Sequence, residues 1–261
     1  MTTPPTTAPS APTVPSGGYV LWDAYPGATI VRKVDKSAYA FKLKKVSIDA
    51  DGAPNAYHPD DVVNGCRHDA TYKGLDCPQN AGYPGHKDSW PSVIVPAPAD
   101  ATRGYVQPAT SAFPGFFVSQ TSLSDHTRPV TDPARYVDAR TVPYFVFPGK
   151  FLAVVGTGGM GDLGVAKNLA TSQISPFVVA DVGQSSAVLG EMSIALGAAL
   201  GGTNPNPRTG DGQPKGDIAI IIFPHTALSP AWPVSAAQMQ MIAMGHLQAA
   251  GGFEALAGIV L

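Results

Sequence analysis

The chain has 261 residues, and its charges are few and balanced: 17 Lys and Arg against 19 Asp and Glu, for a formal net charge of −2. No basic run is long enough to indicate binding to a phosphate backbone, so we expect no nucleic-acid partner. No apolar stretch approaches the roughly 18 residues of a membrane span. The 28 Gly and 26 Pro residues predict many turns and a mainly β chain.

The amino-terminal segment differs from the rest in composition. Residues 1–18 are rich in Thr, Pro and Ser, as is typical of an extended, solvated linker. Such tracts often follow a cleaved signal or a lipid anchor, although this one has neither the charged nor the apolar region of a signal peptide. We therefore predict a disordered linker over 1–18 and a single domain over 19–261.

The two cysteines, Cys66 and Cys77, are separated by ten residues of a polar loop. The first interpretation is a disulfide, which would indicate a secreted or periplasmic protein. Two alternatives stay open. One is a zinc site that adds His58 and His68, although the spacing matches no standard zinc motif. The other is a pair of free thiols.

Strand-like apolar runs occur throughout the chain, separated by Gly, Pro and Asp turns. They predict strands over 39–43, 46–48, 92–95, 115–121, 144–147, 151–155, 177–180 and 217–223. A shift of phase at Lys44-Lys45 indicates a bulge between the first two. One clear helix follows, from Ala236 to Leu247, with Ser235 as its amino-terminal cap and Gly251-Gly252 after its end.

A dinucleotide-binding fingerprint, G-x-G-x-x-G, occurs at Gly156–Gly161 after the apolar run 151–155. With a helix over 163–170, it would indicate a nicotinamide-dependent oxidoreductase. The apolar spacing of that helix is poor, and no β–α alternation continues after Asp181. We therefore favour a glycine-rich hairpin loop that carries Asp162 at its tip.

Two carboxylates carry the clearest catalytic signal. Asp181 ends the apolar run 177–180, and Glu191 opens a small-residue run, 192–200, that we predict to be a helix. A short Gly and Ser loop joins them, so both carboxyls should lie at one edge of a sheet or barrel. Hydrolysis of a glycosidic bond needs such a pair. The alternative is a turn cap at Asp181 and a helix-start residue at Glu191.

Several phrases stand in an order that resembles the fungal-type chitosanases of glycoside hydrolase family 75, between about residues 39 and 223. They include Ser47–Asp61, Gly74–Asp76, Asn80–Gly85, Pro114–Leu123, Arg135–Tyr144, Gly161-Asp162, Val179–Gly183, Gly190–Leu196 and Pro207–Gly210. The segment 62–72 looks inserted, and Gln184 and Met192 depart from the pattern. The resemblance implies a double-psi-like β-barrel and an endo-acting, inverting hydrolase of the β-1,4 linkages of chitosan, with Asp181 and Glu191 as catalytic residues.

Chitosan is a polymer of amino sugars, many of them protonated, so its cleft should contain further carboxylates. The predicted substrate-binding residues are Asp49, Asp51, Asn55, Tyr57, Ser119, Thr121, Asp138, Tyr144 and Asp162. The aspartates could equally be ordinary turn residues, and the tyrosines core residues. Asp49 and Asp51 also suggest a calcium loop, but Ala53 and Pro54 stand where such a loop needs a ligand and Gly.

We predict that Asp181, at the end of a buried strand, is the acid, and that Glu191, held ionised by a helix dipole, is the base. An inverting pair predicts carboxyls roughly 6.5–9.5 Å apart. We expect a monomer without metal or organic cofactor. Besides the oxidoreductase, the alternative is a non-hydrolytic, expansin-like polysaccharide-binding protein.

Overall fold

The computed structural model describes residues 18–63, 65–66, 71–85 and 90–257. The predicted linker, apart from Gly18, lies outside them. The strands are β1 (Tyr19–Leu21), β2 (Ile30–Lys33), β3 (Tyr39–Leu43), β4 (Ser47–Asp49), β5 (Pro96–Ala97), β6 (Asp100–Gly104), β7 (Tyr144–Pro148), β8 (Leu163–Asn168), β9 (Ile174–Gly183), β10 (Glu191–Ser193) and β11 (Ile218–Phe223). The α-helices are α1 (Pro59–Val63), α2 (Gly149–Leu152), α3 (Ile194–Ala199) and α4 (Ala236–Ala249). Three single turns of 3-10 helix span Trp90–Ser92, Pro133–Arg135 and Phe253–Leu256.

Nine of the strands form one mixed sheet in the order β1-β2-β3-β11-β8-β9-β7-β10-β4, and β5 and β6 form a separate pair. Neighbours are antiparallel except at β7–β9 and β10–β4. The mainly β prediction is confirmed. Within the described residues the strand order has two ends, β1 and β4, so the sheet is open and not a closed barrel.

The centre of the sheet is buried on both faces. All six residues of β11 are buried, and they alternate between two apolar clusters, with Ile220 in one and Ile221 in the other. Helix α4 covers one face of the sheet. Its residues Met239, Ala243 and Leu247 recur at helical spacing and join the apolar cluster that contains Ile221. The predicted helix is thus confirmed, including its cap at Ser235.

The strand predicted at 151–155 is absent, and so is the bulge predicted to join 46–48 to 39–43; both predictions concern short apolar runs. The run 151–155 is not a strand, since α2 ends at Leu152 and a turn follows, with Phe151 buried and Val155 93% exposed. The run 46–48 contributes to β4, which pairs with β10 and does not continue β3 across a bulge. Apolar runs of this length do not distinguish helix from strand, nor one sheet position from another.

The glycine-rich fingerprint has the wrong surroundings for dinucleotide binding. A helix, not a strand, precedes Gly156–Gly161, and strand β8 follows where the fingerprint requires a helix.

The two runs 92–95 and 115–121 form only isolated bridges, one of them between Ile94 and Ser119.

Cys66 and Cys77 form a disulfide, with Cα atoms 5.6 Å apart. This confirms the first interpretation and leaves neither cysteine free. It also removes the thiolates that the zinc alternative needs. His58 packs edge-on against Phe116, and His68 lies outside the described residues. None of the helices in the described part of the chain is long and apolar enough to cross a membrane.

Candidate active site

The carboxyl pair lies where four neighbouring strands meet. Asp181 is on β9, and Glu191 begins β10. Strand β7 lies between them, with Val146 opposite Asp181, and β4 follows on the far side of β10, with Asp49 opposite Ser193. Together they line one cleft of about 780 Å³. Its described lining residues include five carboxylates and no Lys, Arg or His. The five are Asp49, Asp51, Asp76, Asp181 and Glu191.

Asp181 is only 7% exposed, and one of its carboxyl oxygens accepts three hydrogen bonds. Oδ1 accepts from the backbone N–H of Ser122 (2.9 Å), from the Ser122 hydroxyl (2.7 Å) and from the N–H of Val182 (2.8 Å). Within the described residues Oδ2 has no such partner. Burial raises the pKa of Asp181 to about 6, while the donors from Ser122 and Val182 oppose the shift by favouring the ionised form. This carboxylate is therefore prepared to accept a proton.

Glu191 has different surroundings. Its carboxylate accepts no hydrogen bond from the described part of the chain. Burial raises the pKa of Glu191 to about 7, and the charge of Asp181 adds to the shift. With no donor to favour the ionised form, Glu191 is the member of the pair that more readily holds a proton near neutral pH.

Gly183 creates the space that Glu191 occupies. A Cβ atom at position 183 would come within 2.7 Å of the Glu191 Oε2 atom. The glutamate carboxyl therefore fills the place of a side chain two positions beyond Asp181 on the same face of β9. Two positions on a strand span about 6.6 Å along the backbone, so the Glu191 carboxyl lies beside the next residue of β9 that shares a face with Asp181.

Two further aspartates, Asp49 and Asp51, lie in the same cleft as the pair of Asp181 and Glu191. Asp49 accepts from the N–H of Asp51 (2.9 Å) on one oxygen and from the Tyr144 hydroxyl (2.9 Å) on the other. Asp51 accepts from the hydroxyls of Tyr57 (2.7 Å) and Ser119 (3.2 Å). Burial and then the charge of a neighbouring carboxylate raise the pKa of both aspartates well above the usual value. These groups shape the cleft; their raised pKa values favour the neutral forms in the empty cleft, and a bound cation would favour the ionised forms.

Three of these carboxylates could also bind a metal ion. Asp49, Asp51 and Asp181 each offer one oxygen, and the three oxygens lie within 4.8 Å of one another. Carboxylate oxygens are ligands for hard cations such as Ca²⁺ or Mg²⁺. The hydroxyls of Tyr57 and Ser119 donate to Asp51, and that of Tyr144 donates to Asp49.

Six of the nine predicted substrate-binding residues are not among the residues that line the cleft, and four of these six have bonds elsewhere in the fold. Asp138 pairs with Arg140 (2.7 Å). Asp162 accepts from three backbone N–H groups. The Thr121 hydroxyl accepts from the N–H of Val137 and donates to the carbonyl of Leu123. The Asn55 carbonyl accepts from the N–H of Leu75, and its buried side-chain oxygen has no partner in the described residues.

Of the other predicted residues, Asp49, Asp51 and Tyr57 line the cleft, whereas Tyr144 and Ser119 act behind it through Asp49 and Asp51. Ser122 was not predicted, although it stands in a phrase that carries the family resemblance. Asp76 was also missed; burial raises its pKa, and it brings a fifth carboxylate to the cleft. The signal for Asp76 was its position in the phrase Gly74–Asp76.

The structural basis predicted for the role of Glu191 is wrong. Glu191 does not begin a helix, because 191–193 form β10 and α3 starts at Ile194. Ser193 is the cap of that helix and accepts from the N–H of Leu196. No helix dipole therefore holds Glu191 ionised, and the argument for Glu191 as the base fails.

Comparisons with known proteins identify no family for this chain. Neither a protein-family model nor a curated protein sequence matches the chain. The resemblance to the chitosanases consequently rests on the ordered phrases of the sequence alone.

Proposed function

We propose that the protein is a glycoside hydrolase that cleaves the β-1,4 linkages of chitosan or a related amino-sugar polymer. The observation that carries this proposal is the pair of Asp181 and Glu191 in one open cleft, with unlike surroundings for the two carboxylates. A hydrolase that acts on acetals needs one carboxyl that keeps its proton and one that loses it. The order of phrases that resembles glycoside hydrolase family 75 supports the same activity, and with it a double-psi-like arrangement.

The surroundings of the pair favour Glu191 as the acid and Asp181 as the base, which reverses the roles expected from the sequence. Asp181 is stabilised as an anion by three donors on Oδ1. Glu191 has no such donor among the described residues, so burial and the neighbouring charge of Asp181 favour its protonated form. In the proposed reaction Glu191 protonates the leaving glycosidic oxygen, while Asp181 takes a proton from the water that attacks the anomeric carbon.

The stereochemistry follows from the spacing of the carboxyls. Inverting enzymes keep them about 6.5–9.5 Å apart to admit a water, and retaining enzymes keep them about 5–5.5 Å apart. We propose inversion because the resemblance to family 75 implies it, and the place of the Glu191 carboxyl over Gly183, two positions along β9 from Asp181, is compatible with it.

The carboxyl groups of the cleft favour a cationic substrate, because a bound cation stabilises their ionised forms against the burial that raises their pKa values. Five carboxylates line the cleft, without a basic residue among its described lining. Converging acidic groups on low-dielectric walls attract cations, and protonated glucosamine is such a group. The disulfide is compatible with action outside the cytoplasm, where polysaccharide substrates occur. We propose a secreted monomer that needs no cofactor.

The test is a reducing-end assay on chitosan, chitin, carboxymethylcellulose and peptidoglycan. We expect release from chitosan, and the first product seen by proton NMR should carry the inverted anomeric configuration. The matched variant is Glu191→Gln, which preserves shape and removes the proton donor. Binding to chitosan without release of reducing ends would contradict the proposal and support the expansin-like alternative. Saturable binding of a reduced nicotinamide cofactor would support the oxidoreductase.

A further inference from the structure

A second cavity, of about 460 Å³, opens beside the candidate active site. The exposed side chain of Val188 lines both cavities, so the two adjoin at this end of the cleft. The loop that carries Val188 is fixed on both sides. The Tyr25 hydroxyl donates to the carbonyl of Ala187 (2.6 Å), and the N–H of Ser47 donates to the carbonyl of Gly190 (3.0 Å).

The two cavities have opposite charge. The second is lined by Lys42, Lys44 and Lys45, and no acidic residue is among its described lining. Lys42 is partly neutralised by Asp217 (3.4 Å). Lys44 and Lys45 are exposed and have no ion-pair partner in the described residues. A protonated amino sugar is therefore attracted by the first cavity and repelled by the second.

The walls of the second cavity are apolar. Tyr25, Phe41, Leu43 and Leu189 contribute side chains that are mostly buried, and Val188 adds 84% exposed apolar surface at the entrance. Such walls favour a group with a methyl or a flat hydrocarbon face. An N-acetyl group has both a methyl and a carbonyl oxygen that a lysine ammonium can bind, and acetylation removes the positive charge of the sugar amine.

We infer that this second cavity is a subsite for an uncharged, N-acetylated sugar at one end of the cleft. The inference rests on the proposed function, because it assigns the substrate's pattern of acetylation: free amines over the carboxylates and an acetylated unit over the lysines. The preferred polymer is then partly acetylated chitosan, not the fully deacetylated form. Lys44 and Lys45 determine specificity and take no part in the reaction.

Product sequencing tests the position. Partly acetylated chitosan is digested, and the acetylated units in the products are located by mass spectrometry. We expect acetylated units to be enriched at one fixed distance from the cleaved bond, by about threefold to tenfold, the effect of one or two exposed charge interactions. The double variant Lys44→Glu/Lys45→Glu should lose this enrichment. Lys215→Glu, an exposed lysine outside both cavities, should retain it. A random acetylation pattern at every position would overturn the inference.

A binding measurement separates this inference from the proposed activity. Calorimetry on Glu191→Gln compares chito-oligosaccharides of equal length that are fully deacetylated or acetylated at one end unit. We expect the acetylated oligomer to bind about threefold to tenfold tighter, and the difference to disappear with both lysines reversed. Equal affinities would refute the subsite whether or not the wild-type protein cleaves chitosan. Still tighter binding of an oligomer with a carboxylated end unit would refute it in favour of an anionic sugar.

Discussion

Asp162 and Asp181 are two buried aspartates with opposite relations to their surroundings. Asp162 is 2% exposed and uses both oxygens, accepting from Thr226 and Ala227 on Oδ1 and from Gly159 on Oδ2. Asp181 is 7% exposed and accepts three bonds on Oδ1 alone. The first aspartate is fully engaged in joining two loops. The second keeps an oxygen available at the wall of a cleft, which the proposed catalytic role requires and the structural role of Asp162 does not.

The largest expected effect comes from replacing Asp162, the structural aspartate. Asp162→Ala leaves three backbone N–H groups without their acceptor, and a buried donor that loses its acceptor costs about 1–3 kcal/mol. We expect the free energy of unfolding to fall by about 3 kcal/mol or more, measured by urea denaturation. Asp181→Ala should cost less, because its donors border the cleft and can bind water. Equal stability losses would remove the distinction between the two aspartates.

The next effect concerns turnover. Asp181→Asn and Glu191→Gln should each lower kcat on chitosan by about 100-fold or more, the scale of a lost acid or base, without a loss of folding. Asp138→Asn is the matched control, because the Asp138 carboxylate binds Arg140 outside the cleft. The turnover of this variant should stay near that of the wild-type protein. If either cleft variant retains normal turnover, that carboxylate is not catalytic.

A third prediction uses the pH dependence of stability. Burial raises the pKa values of Asp181 and Glu191 from 3.8 and 4.5 to about 6 and about 7. The folded state thus binds more protons than the unfolded state across this window, and the free energy of unfolding should fall by about 2–5 kcal/mol as pH rises from about 4 to about 7.5, the upper value holding if the two shifts add fully. The double variant Asp181→Asn/Glu191→Gln should flatten this slope. A wild-type stability that rises with pH over the same window would contradict the predicted sign.

The smallest effect sharpens the role of the Oδ1 donors. Ser122→Ala removes the hydroxyl that donates to Asp181 while it keeps the backbone N–H. The pKa of Asp181 should rise further, so the acidic limb of the pH profile of kcat/KM should move to higher pH by about half to one pH unit. The basic limb, set by Glu191, should not move. A shift of the basic limb alone would return the acid role to Asp181.

Sequence patterns predicted the long elements well. The strands at 39–43, 144–147, 177–180 and 217–223 and the helix at 236–247 are all present, because each has a sustained period or a buried apolar run. The pair Asp181 and Glu191 was also found from sequence, since both border the same short loop. What periodicity could not provide was the order of the strands, and therefore the approach of Asp49 to Ser193 across β4 and β10.

The errors at the site have physical causes. Position 191 was assigned to a helix because small residues follow it, yet Ser193 is the residue type that caps helices and could have moved the start to Ile194. Asp162 was chosen as an aspartate in a turn-like context and as part of the phrase Gly161-Asp162, but glycine-rich turns place backbone N–H groups close together, and a buried carboxylate can accept from them. Hydrogen-bond partners far along the chain, such as Ser122 for Asp181, have no local signal.

The disulfide has a practical consequence for anyone who prepares this protein. Cys77 directly follows Asp76, and Gln79 and Asn80 stand two and three positions after it. Three residues of one cleft wall are therefore close in sequence to the disulfide. A preparation from a reducing cytoplasm, or an assay buffered with thiols, would release that wall from its anchor. Expression in an oxidising compartment and thiol-free assays are accordingly the conditions under which the cleft should be compared with the geometry described above.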